Sequence, residues 1–427
     1  MSLSEGQQVE LEIEKAAAGG WMIARHCGEV VLVRGAIPGE RVLALVERAE
    51  KRMAYASVRE VLDASPDRRD PAPDPSCGGA LYSHIAYPRQ LTIKADVIRD
   101  AFARVGRHRW SDPIDVAGSP ETGYRMRARF HVRGRRVGFY REGTHQICDA
   151  RATGQMRSDS FAAIDAVLGA LDRALPDGTS SLALIENIEG TERAVHVEFT
   201  APGAIDRDAL ELAVADAGLM GATARDVRTG ALLSAGDAIV TDPLRVITGG
   251  DGGALRRHAE SFFQGNRYLL GALVAAVVSS VPDSGEIVDL YAGVGVFAVA
   301  LAAAGHLEVT AVEADRASGD DLRANARAYD PRLRARVERV EDYLNGRAEA
   351  AATVIVDPPR TGLSKPALQA IVRQPPSRVV YVSCDPPTLA RDARILLDAG
   401  YSIDSLRAFD FFPTTPHVET LVVFTRP

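Results

Sequence analysis

Few architectures accept an apolar strand that runs straight into a glycine-bearing turn and then into an apolar helix. Residues 286–305, EIVDLYAGVGVFAVALAAAG, have this form, with Ile287–Tyr291 as the strand and Gly293 and Gly295 in the turn. A second strand, VTAVEAD (Val309–Asp315), follows and carries Glu313 at its end. Strand–helix–strand units of this kind build parallel sheets. The alternation continues from about Gly253, so a Rossmann-like α/β domain is expected over 251–427.

Glycines at the carboxyl end of a first strand let a ligand approach the backbone, and an acidic residue ending the second can accept both hydroxyls of an adenosine ribose. A nicotinamide cofactor would use the same Glu313. Against it, GVG lacks the third glycine of a dinucleotide loop. The strand ends that follow also suit methyl transfer better than hydride transfer.

One of those ends is AATVIVDPPRTGLS (351–364), where rigid prolines follow Asp357 and would fix its oxygens toward a planar base edge. The next is SRVVYVSCDPPTLARDARIL, with Cys384 at the strand end and a helix starting just after it. That helix N-terminus is expected to favour a thiolate. A third segment, AFDFFPTTPHVETLVVFTRP, sets Glu419 just before a terminal apolar strand, with His417 two residues away. Apolar surroundings raise a carboxylate's pKa, which suits proton abstraction. The plainer alternatives are a proline-rich loop, a structural cysteine and a solvated edge glutamate.

A cysteine and a base together suit one chemistry well. Carbon 5 of uracil is too poor a nucleophile to take a methyl group from a sulfonium. Thiolate addition at carbon 6 makes carbon 5 carbanionic, and a base must later remove its proton so that the thiolate can leave.

The chain has 427 residues, too many for one ordinary core, so two or three domains are expected. Residues 7–62 read as short strands with glycine turns, giving a small β-barrel over 1–62. Ala64–Ser76, rich in Pro and Asp, marks a boundary, and a helix is expected over about Tyr87–Val105. This helix belongs by position to a central α/β domain, 63–250, although its apolar stripe could pack on the catalytic domain. Within that domain, GYRMRARFHVRGRRVGFYR interleaves Arg125, Arg127, Arg129 and further arginines with Tyr124, Phe130, Phe139 and Tyr140. Arginine for phosphates and aromatics for stacking is the pairing that single-stranded RNA needs. Net charge is −7, so RNA contact must come from such a local patch.

Four cysteines, widely separated and without a CxxC pair, favour neither a disulfide framework nor a zinc site. The N-terminus lacks the form of a signal peptide, and no apolar run is long enough to span a bilayer. A soluble cytoplasmic protein with no membrane association is expected.

Taken together, these motifs resemble those of the RNA uracil-5 methyltransferases, which form 5-methyluridine in transfer and ribosomal RNA. GGWMIAR, VVLVRGAIPGERV and AYASVREVLDASPDR resemble a TRAM domain, an RNA-binding barrel; SFFQGNRYL, DLYAGVGVF, VEAD, DPPRTG, SCDP and PHVETL follow in the family's order and spacing. The resemblance implies S-adenosyl-L-methionine as cofactor, held by Gln264, Tyr291, Gly293, Gly295, Glu313 and Asp357. It implies Cys384 as nucleophile and Glu419 as base, and it makes GYRMRARF, with Arg125, Arg127 and Arg129, an RNA-contacting strand. Many members hold an iron–sulfur cluster on four cysteines. Here Cys77 keeps one position while Pro71, Ala80 and Thr153 occupy the others, with Cys148 a few residues out of register. No cluster and no other metal is expected. The partner is tRNA or rRNA, and a monomer contains every catalytic part. The alternatives are an RNA cytosine-5 methyltransferase and a non-catalytic RNA-binding protein on a vestigial fold.

Overall fold

The computed structural model describes residues 3–71, 73–174, 178–200, 207–250 and 252–426. The first five strands are β1 (Gln8–Ala16), β2 (Met22–His26), β3 (Glu29–Arg34), β4 (Arg41–Ala49) and β5 (Met53–Asp63). They close into a barrel in the order β1-β2-β3-β5-β4. Strand alternation decides its inside: Val9, Leu11 and Ile13 are buried while Glu10, Glu12 and Glu14 face out.

Helix α1 (Tyr87–Arg104) is shared between two cores. Ile93 and Val97 join the barrel core, whereas Ala95, Ile98, Ala101 and Phe102 pack among side chains of the C-terminal sheet. Its Lys94 ammonium is fully buried and bonds the Asp410 carboxylate and the Phe412 carbonyl oxygen, the latter at 3.1 Å. Strand β6 (Val116–Ala117) follows.

The central module contains β7 (Arg127–Arg133), β8 (Arg136–Tyr140), β9 (Ile147–Asp149), α2 (Ser158–Ala174), β10 (Thr179–Glu186), β11 (Arg193–Phe199), α3 (Arg207–Ala217), β12 (Gly221–Asp226) and β13 (Leu232–Gly236). Its seven strands run in the order β13-β12-β11-β10-β7-β8-β9, and α2 and α3 cover one face. Two expectations are corrected here. Tyr124 and Phe130 are fully buried, because alternation along β7 sends Phe130 into the core opposite to the arginines, so neither offers a stacking surface. Cys77 and Cys148 form a disulfide across 71 residues, since the loop after the barrel is laid against the β8–β9 hairpin.

A short hairpin, β14 (Ile239–Pro243) with β15 (Ala254–His258) around α4 (Leu244–Thr248), and then α5 (Leu270–Ser279), lead into the last module. It comprises β16 (Ile287–Leu290), α6 (Val296–Ala303), β17 (Val309–Glu313), α7 (Arg316–Ala326), β18 (Leu333–Val337), α8 (Val340–Asn345), β19 (Thr353–Val356), α9 (Lys365–Arg373), β20 (Arg378–Ser383), α10 (Pro386–Asp398), β21 (Ser402–Phe409) and β22 (Glu419–Thr425). The eight-stranded sheet has the order β18-β17-β16-β19-β20-β22-β21-β6. The first five of these are parallel and β22 runs antiparallel between β20 and β21. Both faces are buried, which is why its strands read as continuous apolar runs. Among the described residues no helix is long and apolar enough to cross a membrane.

Candidate active site

Register brings the chemistry-bearing residues to one edge of the sheet. Leu290 pairs with Val312 on one side and with Val356 on the other, and Val356 pairs with Tyr381. The residues just beyond are therefore neighbours: Tyr291, Glu313 and Asp357, with Cys384 two residues further on, just past the end of β20. Ser383 pairs with Thr420 across the antiparallel β20–β22 ladder, which sets Cys384 opposite Glu419. This carboxyl-end position is where open α/β sheets take their ligands.

The glycine loop is built around Glu313. Its carboxylate accepts hydrogen bonds from the Gly293 N–H at 2.8 Å and the Asp315 N–H at 2.6 Å. Each oxygen keeps a lone pair for a further donor. Gly295 begins α6 at φ 91°, and a Cβ there would lie 2.5 Å from Leu322 Cδ1. Gly293 differs: at φ 56° its nearest neighbour to such a Cβ is the Phe262 carbonyl oxygen at 3.9 Å, so the space above the loop is open. Tyr291 is half-buried with a φ of 61°. An open cradle beside a strand-end carboxylate fits a ribose-bearing cofactor such as S-adenosylmethionine. Gln264 donates from Nε2 to Asp357 Oδ2 at 3.0 Å, so these two expected cofactor residues meet.

Beneath the loop lies Asp289. It is fully buried; Oδ2 accepts from the Ala298 N–H at 3.2 Å and Oδ1 has no partner among the described residues. Burial first, and the charge of Asp357 second, push it up to about 8.

At the reactive end, burial pushes the Cys384 thiol up to about 12, with Glu419 and Asp357 adding to the rise and Arg360 opposing it. Burial and these two acids oppose the helix N-terminus that was expected to favour a thiolate. Asp385 caps α10, accepting from the Thr388 N–H at 3.0 Å, and its own charge opposes ionisation of the neighbouring thiol. Glu419 is buried and raised well above the ordinary carboxylate value, and its Oε1 has no hydrogen-bond partner among the described residues. Burial likewise takes Asp357 up to about 7. Arg360 donates from Nη2 to His417 Nδ1 at 2.9 Å, while burial and this arginine push His417 down to about 4, leaving it neutral. Phe412 meets His417 edge-on at 6.0 Å.

The three arginines expected to contact RNA lie along the entry to β7. Arg125 donates to Gln155 Oε1 at 2.7 Å and to the Arg127 carbonyl oxygen at 2.9 Å, and lies 5.8 Å over Phe412. Arg127 lies 5.6 Å over Phe262 and is pushed down to about 10 by burial. Arg129 pairs with Glu198. Sequence reasoning passed over Asp289, Arg360 and Phe262, the last being 60% exposed beside the glycine loop. Phe262 directly precedes the FQ pair, and an exposed aromatic there was a usable signal. Asp289, inside an apolar strand, was another.

A largely parallel sheet with a glycine loop and a strand-end acid, and with a half-buried cysteine beside a buried carboxylate, defines a methyltransferase fold. The model of the family described as tRNA (Uracil-5-)-methyltransferase matches residues 238–427, and that of the TRAM domain matches residues 3–58. The 23S rRNA (uracil(1939)-C(5))-methyltransferase RlmD of Halomonas elongata is 32% identical over 99% of this chain and 90% of that protein. Its Pseudomonas putida counterpart is 31% identical over 98% and 94%. The Pyrococcus abyssi tRNA (uracil-54, C5)-methyltransferase, solved in complex with S-adenosyl-L-homocysteine, shares the fold with a TM-score of 0.76 at 23% identity, over 97% of this chain and 99% of that one. This chain belongs to the RNA uracil-5 methyltransferase family and is an S-adenosylmethionine-dependent enzyme.

Proposed function

We propose that the protein forms 5-methyluridine in a transfer or ribosomal RNA through a covalent bond between Cys384 and the target base. The observation that carries this reading is the placement of Cys384 opposite Glu419, with Asp357 beside them, at the ligand-binding edge of the sheet. When bound, S-adenosylmethionine supplies an electrophilic methyl group. Glu313, Gln264, Asp357 and the Gly293 cradle are the groups suited to hold it.

Arg360 is the cation that favours ionisation of the Cys384 thiol, whose proton leaves to solvent through the half-exposed side of the residue. The thiolate sulfur bonds carbon 6 of uracil, and the electron pair of the 5,6 double bond moves to carbon 5 and the carbon-4 carbonyl. The carbon-5 electron pair bonds the methyl group as the methyl–sulfonium bond breaks, its electron pair staying on the sulfur of the departing thioether. The Glu419 carboxylate accepts the carbon-5 proton, the double bond re-forms, and the sulfur–carbon bond breaks to return the thiolate. Such a base must leave its stack to reach a cysteine at a strand end, so an unpaired or locally opened segment is the substrate form.

The test is incubation with cofactor and RNA carrying 5-fluorouridine, whose fluorine cannot leave as a proton. A denaturant-stable protein–RNA adduct is expected from the wild type and none from Cys384→Ala. Absence of an adduct with transfer and ribosomal RNA alike would overturn the reading.

A further inference from the structure

The face of the central sheet turned away from α2 and α3 carries, at its β7–β8 end, a group of side chains that methyl transfer does not use. Alternation along β7 puts Arg129, His131 and Arg133 on this face, and Arg136 of β8 lies opposite Arg133. The Tyr140 ring stacks on His131 with centroids 3.6 Å apart and planes 14° from parallel. His145, in the turn that follows, meets Tyr140 edge-on at 5.4 Å. Arg133 donates from Nη2 to the His145 carbonyl oxygen at 3.4 Å, which ties that turn to the strand.

The charge of this group is unbalanced. Arg129 pairs with Glu198 and Arg141 with Asp74, but among the described residues no ion pair involves Arg133 or Arg136. Arg133, Arg136 and His145 are exposed, while His131 and Tyr140 are half-buried. Besides burial, Arg129, Arg133 and His145 hold His131 below its ordinary pKa, which reports the local positive field. Stacked rings on an open sheet, flanked by uncompensated guanidinium groups, match a nucleobase with its phosphates in both shape and charge.

We propose that this hairpin face is a second RNA site. It takes an unpaired nucleotide of the substrate away from the target uridine, with the base against Tyr140 and His145 and the phosphates on Arg133 and Arg136. The inference rests on the reading that the substrate is RNA. At about 3.3 Å per residue, Arg133 stands roughly 20 Å along β7 from Arg127, which lies at the catalytic end beside Phe262. The contact thus falls several nucleotides from the reacting base and acts on binding of the whole RNA.

The experiment compares wild type, R133E/R136E, Tyr140→Ala, Tyr140→Phe and a control with the same charge change, R334E/R336E, on the exposed edge strand β18. Binding of a fluorescein-labelled oligouridylate is read by anisotropy across a salt series, and the KM for transcribed tRNA and 23S rRNA by methyl transfer. Intact folding is checked by S-adenosylhomocysteine affinity. For R133E/R136E, affinity is expected to fall about ten-fold or more and the log–log salt slope to become shallower by about one to two, as for two lost phosphate contacts. Tyr140→Ala is expected to lose about five-fold or more through stacking, with Tyr140→Phe close to wild type. Unchanged affinity and slope, an equal loss in R334E/R336E, or displacement of the oligonucleotide by polyglutamate as readily as by RNA would overturn the inference. A wild type that binds the oligonucleotide through these residues but methylates no RNA would instead overturn the parent reading.

Discussion

Glu419 faces Cys384 across the β20–β22 ladder, and its charge is one of the causes that hold the thiol up to about 12. Burial is the larger cause for the thiol, as it is for Glu419, whose carboxyl is raised further by the charge of Asp357. Ionisation of the thiol is thus opposed at the very site where a thiolate is needed, and that of Glu419 is opposed by burial and by Asp357. The Arg360 guanidinium is the countercharge close at hand.

Cys384→Ala removes the sulfur that the proposed route bonds to carbon 6. Methyl transfer to RNA is expected to be abolished, while affinity for S-adenosylhomocysteine, measured by calorimetry, stays at the wild-type level. An active variant would exclude the covalent route.

Glu419→Gln keeps the shape of the side chain but cannot accept the carbon-5 proton. Methylated RNA is expected to remain attached to the protein, visible as a slowly migrating band on a denaturing gel. Normal turnover without such a band would assign the base elsewhere.

Glu313→Ala deletes the acceptor for the Gly293 and Asp315 amides and the carboxylate facing the cofactor cradle. Hydrogen bonds to a charged group contribute about 1.5–3 kcal/mol, so cofactor affinity is expected to fall roughly 10- to 150-fold. Titration calorimetry reads this directly, and a wild-type dissociation constant would remove Glu313 from the cofactor site.

Asp289 ties stability to pH. Its folded pKa is raised from 3.8 to about 8, so the folded state holds this proton more tightly than the unfolded chain does. The resulting stabilisation is complete below 3.8 and is lost as pH rises through about 8; Asp357 adds a similar loss through about 7. The Tm of the cofactor-free protein is expected to fall across this range. In Asp289→Asn, whose amide oxygen can still accept from Ala298, the fall should be shallower. An unaltered pH profile would show that Asp289 is already ionised.

Lys94→Met strands the buried Asp410 carboxylate. The expected cost is about 3–5 kcal/mol in urea denaturation, with partial recovery in the double variant K94M/D410N. A single variant as stable as wild type would mean that the pair is exposed in solution.

Much of the catalytic edge was readable in advance because a parallel sheet gathers its reactive groups at strand ends, and strand ends are visible as apolar runs stopped by Gly, Pro or Asp. Asp357, Cys384 and Glu419 all follow that rule. The Cys77–Cys148 bond was not readable, since its partners lie 71 residues apart and meet only after the loop folds onto the hairpin. The period of β7 placed its arginines on one face. It could not show that Phe262 covers Arg127, or that Glu198 on a strand two places away neutralises Arg129. Lys94 and Asp410, 316 residues apart, each look like ordinary surface charges until α1 is packed.

The chain enters the central module just after β6, and the segment that returns from it, past the β14–β15 hairpin and just before α5, is tied to that entry. The Met126 N–H donates to the Gly265 carbonyl oxygen at 2.9 Å and the Arg267 N–H to that of Tyr124 at 3.0 Å, and Asn266 Nδ2 reaches the Phe411 carbonyl oxygen at 3.1 Å. A module spliced in through a double-stranded neck cannot swivel as one on a single thread would. Its orientation is locked to the segment that carries Gln264 and to the loop that leads to Glu419. On the proposal that the insert grips RNA, that RNA is thereby indexed to the reacting atoms, as a ruler clamped at its zero mark.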